Sequence, residues 1–191
     1  MANPTKPRDI KYLTEEELER LFRVITSVRD RAIFRLAYHR GLRASEVALL
    51  QMDDYRADRG RLFVHRLKQR RNNTSGEYVL TDIEIRALKA WLRERGGEPG
   101  PIFISNRRTG ISRKMLDVLM RQYSAAAKIP ADKRHFHALR HSCATSLMEQ
   151  GDDIAIVQDH LGHASITSTE IYAQVTNKRR DQAGMKRKNW R

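Results

Sequence analysis

Between His137 and Tyr172 the chain reads HALRH (137–141), LGH (161–163) and TSTEIY (167–172). An arginine, three histidines and a tyrosine meet here, with Glu170 the single carboxylate in the three motifs, a poor set for a metal site or a protease. It suits a different task, gripping a phosphate diester and attacking it with a phenol. Arginine provides an always-charged planar fork that matches phosphate oxygens two at a time. Cleavage by a side-chain nucleophile needs such fixed cations around its transition state, an acceptor for the nucleophile's proton and a donor for the leaving alkoxide. The phenol of Tyr172 is a weak nucleophile at its ordinary pKa near 10, and neighbouring cations are expected to lower that value.

These side chains must be held by helices. His137 and Arg140, at i and i+3, share a helix face, while Leu139, Cys143 and Leu147 form an apolar stripe. The spacing predicts a helix that buries the stripe and presents His and Arg on its other side. LGH reads as a helix end, with Gly162 at the C-cap position and His163 just beyond. Thr167 and Glu170 make a capping-box pattern that would set Tyr172 about one turn into a further short helix.

HALRH, LGH and a tyrosine nine positions after His163, in that order, resemble the signature of the tyrosine recombinases, or phage integrase family. GLRASE (41–46) resembles the family's first arginine motif, so the likeness runs from about Leu13 to Gln174. The resemblance implies the catalytic-domain fold of these DNA breaking-rejoining enzymes, and site-specific cleavage and rejoining of DNA through a 3′-phosphotyrosyl link. It implies no cofactor and no metal. Tyr172 would be the nucleophile, Arg43, Arg140 and His163 the phosphate ligands, and His137 the acceptor of the tyrosine proton. Glu46 would orient the segment bearing Arg43, with His141 in support. The family's general acid is a lysine on a β-turn, which here matches Lys68. Arg66, Arg70 and Arg71 crowd it, but arginine holds its proton too tightly to donate well, whereas lysine's pKa falls beside other cations. Those three arginines are candidate DNA contacts, as are Lys178, Arg179 and Arg180. Ala173 and Gln174 stand where the family often has threonine and histidine. About a dozen residues precede the matched region, a short architecture resembling the fimbrial phase-switch invertases; a truncated integrase would look the same.

Composition agrees with a nucleic-acid partner. The 191 residues carry 37 Lys+Arg against 23 Asp+Glu, a net charge of +14 that favours a polyanion, double-stranded DNA first. No apolar run approaches a membrane span and the N-terminus has no signal-peptide core, which points to a cytoplasmic, nucleoid-associated address. The single cysteine, Cys143, excludes an internal disulfide and reads as a small core residue. By family likeness the working unit would be a homo-oligomer, a tetramer on DNA, with accessory DNA-bending proteins as further partners.

Along the chain, residues 1–12 read as a loose lead-in, 13–175 as the catalytic domain and 176–191 as a basic tail with seven basic residues against one acid. Thr14–Glu17 and Thr81–Glu84 are capping boxes, Asp30–His39 and the segment from Ser112 to before Pro130 are further helices, and Asp153–Leu161 another. Short strands are expected around Tyr55, at Arg61–His65 and at Glu77–Leu80. The fold is therefore mainly α with one small antiparallel sheet. Three rival readings arise. A non-catalytic helix-turn-helix regulator would use the helix pair around Gly41 but leaves HALRH and Tyr172 unexplained. A histidine metal site at His135, His137, His141 and His163 would place Arg140 against the cation. A type IB topoisomerase would share the chemistry.

Overall fold

A computed structural model of the chain describes residues 10–66, 75–163 and 167–172. Its elements in chain order are α1 (Glu15–Val24), α2 (Val28–His39), α3 (Ala44–Leu49), β1 (Tyr55–Arg56), β2 (Arg61–Val64), β3 (Gly76–Val79), α4 (Asp82–Arg95), α5 (Arg113–Ala126), α6 (His137–Gln150) and α7 (Ile154–Leu161). Residues 167–172 are also helical. The mainly helical class with one small sheet is as expected.

The caps explain where the helices begin. Thr14 accepts from the Glu17 N–H while the Glu17 carboxylate accepts from the Thr14 N–H, which satisfies two otherwise orphan donors of α1. Glu84 does the same for the Thr81 N–H, and the Ser112 hydroxyl accepts from the Met115 N–H. The second helix starts at Val28, two residues before the sequence pattern begins, because Ser27 caps it by accepting from the Asp30 N–H. The three strands form one antiparallel sheet in the order β1-β2-β3, with Leu62 opposite both Tyr55 and Tyr78.

The main core joins α2, α4, α5 and the first turn of α6 through Ile33, Phe34, Leu36, Leu88, Leu116, Met120, Phe136 and Leu139. Phe34 meets both Tyr123 and Phe136 edge-on. A second cluster of Cys143, Ala144, Val157, Leu161 and Tyr172 seats α7 and the 167–172 segment on the middle of α6. Helix α6 thus has neighbours on most of its circumference. The expectation of one buried and one open side is corrected here: Arg140 is 0% exposed and lies inside the molecule, along with Ala138, Ser142 and Thr145. Residues 10–12 are tied down rather than loose. Ile10 packs on the second cluster, Lys11 pairs with Asp132 at 2.9 Å, and just beyond Tyr12 the Leu13 N–H donates to Ser142 Oγ at 2.8 Å. No described helix is long and apolar enough to cross a membrane.

Candidate active site

The first arginine is placed by a turn that only glycine makes without strain. Gly41 has φ +56°, and a Cβ there would overlap Leu161 Cδ2. The chain reverses through it, with Leu42 N–H bonded to the Ala37 carbonyl, and Arg43 becomes the N-cap residue of α3. Glu46, three residues on, accepts from the Arg43 backbone N–H at 2.9 Å and from its guanidinium at 2.5 Å. The same carboxylate takes a bond from Arg66 Nη1 at 3.0 Å and lies 3.9 Å from Arg140 Nη1. Burial by itself would raise the pKa of Glu46, which is 1% exposed. Arg66, the Arg43 N–H, Arg43 and Arg140 together outweigh that and hold it below the usual carboxylate value. One carboxylate therefore gathers three arginines that lie up to 97 residues apart in the chain.

Arg140 enters from the first turn of α6. Its Nη1 donates to the Gly41 carbonyl at 2.6 Å, while Nε and Nη2 are buried without a hydrogen-bond partner among the described residues. A guanidinium in this position is costly. Burial, then Arg43, lowers its pKa to about 10, which still leaves it charged at neutral pH. The first turn of α6 also holds no acidic residue and carries His137 and Arg140 at the positive end of the helix dipole. That arrangement works against the helix's own stability and in favour of an anion.

The histidines sit round this point. His137 opens α6 and is exposed. The protein packed around the rest of its ring, and then Arg140, Arg43, His135 and Arg113, hold its pKa down to about 4. His163 follows Gly162, which ends α7 in the left-handed region at φ +62°, as the LGH motif implied. Its Nδ1 is 2.9 Å from Thr169 Oγ1, and burial followed by Arg140 and Arg43 brings its pKa to about 3. The site histidines are therefore neutral at physiological pH, not imidazolium.

Tyr172 is where the structure departs most from expectation. Thr167 is itself helical, so the cap of that segment falls outside the described residues. The phenol ring is 1% exposed and lies parallel to the His163 ring, 9° apart with centroids at 6.4 Å. Its hydroxyl is 2.7 Å from His141 Nδ1, whereas His137 makes no hydrogen bond to it. Burial raises the phenol pKa to about 12, which outweighs the lowering by Arg140 and Arg43, so the expected net depression by nearby cations does not occur in this arrangement. The His141 contact was legible in one respect: position 141 is one turn after 137, on the same face. The tertiary contacts of Gly41, Thr169 and Tyr78 with the site arginines and histidine carried no such signal.

Arg66 is the other correction. Expected among the DNA contacts, it is 6% exposed and bonds Glu46, the carbonyls of Arg40 and His160, and the Tyr78 hydroxyl. A buried carboxylate and two carbonyls that need donors draw it inward. Lys68, Arg70, Arg71, Lys178, Arg179 and Arg180 lie outside the described residues. Among the described residues, no three His, Cys, Asp or Glu side chains are grouped as metal ligands would be.

Residues 11–179 match the phage integrase family. The chain is 37% identical over 186 residues to tyrosine recombinase XerA of Pyrococcus furiosus, covering 93% of this chain and 62% of that protein. It is 33% identical over 171 residues to the type 1 fimbriae regulatory protein FimE of Escherichia coli K12, covering 85% and 84%. A crystal structure of XerA recombinase superposes with a TM-score of 0.75 at 28% identity, covering 90% of this chain and 61% of that one. The chain thus spans about 62% of the XerA relative's length. The helix-turn-helix regulator reading is not favoured by these relatives, and its second helix, α3, instead carries Arg43 and Glu46 into the arginine cluster. A catalytic-domain fold, a gathered pair of motif arginines, and a 169-residue match (11–179) together show that this chain belongs to the phage integrase family of tyrosine recombinases.

Proposed function

We propose that this chain is a site-specific recombinase that breaks and rejoins double-stranded DNA through a tyrosine–phosphate bond. The observation that carries the reading is Arg140, a fully buried cation with two donors left open beside Arg43, His163 and the phenol of Tyr172. Desolvating a guanidinium without satisfying it costs several kcal/mol, roughly, unless an anion completes the site. A phosphate oxygen pair matches the open edge of the fork.

In this reading Arg43 and Arg140 bind the non-bridging oxygens of the scissile phosphate, and His163 adds a neutral hydrogen bond. Tyr172 attacks phosphorus, the strand's 5′-oxygen leaves with a proton from Lys68, and the DNA 3′ end stays on the enzyme. Glu46 keeps the arginines in register. The phosphoester is conserved in the covalent link, so a second 5′-hydroxyl can reseal the strand without a nucleotide. Residues 13–175 form the catalytic unit, and Arg70, Arg71 and the 176–191 tail supply phosphate contacts, helped by the +14 net charge. Recombination exchanges two duplexes, so the assembly on DNA is a homotetramer, with DNA-bending proteins as auxiliaries. Tyr172 and Arg140 are both buried in this arrangement, so DNA binding must open the site around the two together.

A nicked half-site DNA that loses its short 5′-hydroxyl fragment traps the covalent adduct. Wild-type protein gives a protein–DNA band that survives denaturant, Tyr172→Phe gives none, and both results hold in excess EDTA because guanidinium groups supply the positive charge. A band that disappears with EDTA and returns with Mg²⁺ would overturn the mechanism, and a non-catalytic DNA binder would give no band at all.

A further inference from the structure

Resting on the recombinase reading above, we infer that His141 is the proton acceptor of the Tyr172 nucleophile. The Tyr172 hydroxyl and His141 Nδ1 are 2.7 Å apart, a normal length for an O–H donor on an imidazole nitrogen. His137, the acceptor that family likeness suggests, makes no hydrogen bond to the phenol. It meets His141 ring edge to ring face, 87° apart with centroids at 4.5 Å, and stands at the exposed start of α6. That position lets it reach a bound phosphate while His141, one turn deeper, faces the tyrosine.

Neutrality is what an acceptor needs. Burial first, then His137, His135 and Arg140, brings the pKa of His141 to about 3, so the ring carries a lone pair at neutral pH. The groups that face this pair include His137 and Arg140 on α6, His135 in the preceding turn with Asp117 and Asp132 beside it, His163 after α7 with its ring parallel to the phenol, and Arg43 and the buried Cys143 near the phenol. With no phosphate present the proton stays on Tyr172, whose pKa is about 12, and the couple is inert. A phosphate bound at Arg140 offsets that guanidinium's share of the depression of the His141 pKa, a smaller share than that of burial, so the base gains some strength when substrate is in place. As the Tyr172 oxygen bonds to phosphorus, its proton passes to Nδ1, and the bond from phosphorus to the 5′-oxygen breaks with a proton from Lys68. In resealing, the incoming 5′-hydroxyl gives its proton to Lys68 and the departing tyrosine oxygen recovers its own from Nδ1.

Two measurements test this. Nitrogen-15 NMR of histidine-labelled wild-type protein, without DNA, should show His141 with an unprotonated Nδ1 and a protonated Nε2, and Tyr172→Phe should shift Nδ1. A proton on Nδ1 would overturn the inference whether or not the chain cuts DNA. On the nicked half-site, His141→Gln should slow adduct formation by about 10²- to 10⁴-fold near neutrality. Its rate should then rise close to tenfold per pH unit as hydroxide replaces the missing base, with unchanged DNA affinity, while His137→Gln should gain no such dependence. A His141→Gln profile running parallel to that of wild type would sink the assignment. Wild-type protein that forms no adduct would instead sink the recombinase reading, and the NMR result would still decide whether Nδ1 is the phenol's acceptor.

Discussion

Replacing Glu46 with glutamine is the sharpest test of how the site is held together. The side chain keeps its shape and one acceptor oxygen, but three arginines lose their shared counter-charge. Removing one partner of a buried ion pair costs about 3–5 kcal/mol because the remaining charge is left uncompensated. The lower end applies here. Arg66 keeps bonds to the Arg40 and His160 carbonyls and to Tyr78, Arg140 keeps the Gly41 carbonyl, and Arg43 is partly solvated. A loss of about 3 kcal/mol lowers Tm by roughly 6–12 °C in a chain of 191 residues. The pH dependence follows from the same carboxylate. Its folded pKa lies below the unfolded value, so its stabilisation is fully present above about pH 4.3 and is lost as pH falls through the folded pKa. The gap in Tm between wild type and Glu46→Gln should be widest near neutrality and close in acid, since a protonated Glu46 and a glutamine are nearly isosteric. Thermal unfolding followed by circular dichroism from neutral to acid pH measures it. A variant as stable as wild type at pH 7, or a gap that widens in acid, would refute the account of Glu46 as the hub.

Gly41→Ala combines a left-handed φ of +56° with overlap on Leu161, and should cost at least about 1–2 kcal/mol by thermal melting. Adduct formation should fall further than stability does, because the Gly41 carbonyl orients Arg140; activity that tracks stability alone would count against that link. Lys68→Ala should cleave ordinary DNA slowly yet recover on a strand whose 5′-bridging oxygen is sulfur, a leaving group stable near neutral pH as a thiolate. Arg43→Ala and Arg140→Ala should be slow on both strands, and an equal deficit of Lys68→Ala on both would make Lys68 a phosphate ligand instead of the acid.

Much of this molecule was written locally. Thr14–Glu17, Thr81–Glu84, Ser112 and Gly162 announce helix ends because capping is satisfied within four residues, and the alternation around Arg61–His65 and Glu77–Leu80 announces strands for the same short-range reason. The ordered motifs also named the residues to watch, since each chemical group sits at a fixed offset from its own cap or turn. Burial and partnership were not legible, because they depend on what arrives from elsewhere in the chain. Arg66 looked like one of several surface cations until Glu46, 20 residues earlier, and the carbonyl of His160 drew it inside. Arg140 looked like the polar face of an amphipathic helix until the turn at Gly41 and the Glu46 carboxylate of α3, about a hundred residues earlier, met it inside the molecule. Tyr172 was readable as a phenol among cations. Whether desolvation or those cations set its proton affinity, and which of two histidines a turn apart receives its hydroxyl, was decided only by the packing of residues 167–172 against α6.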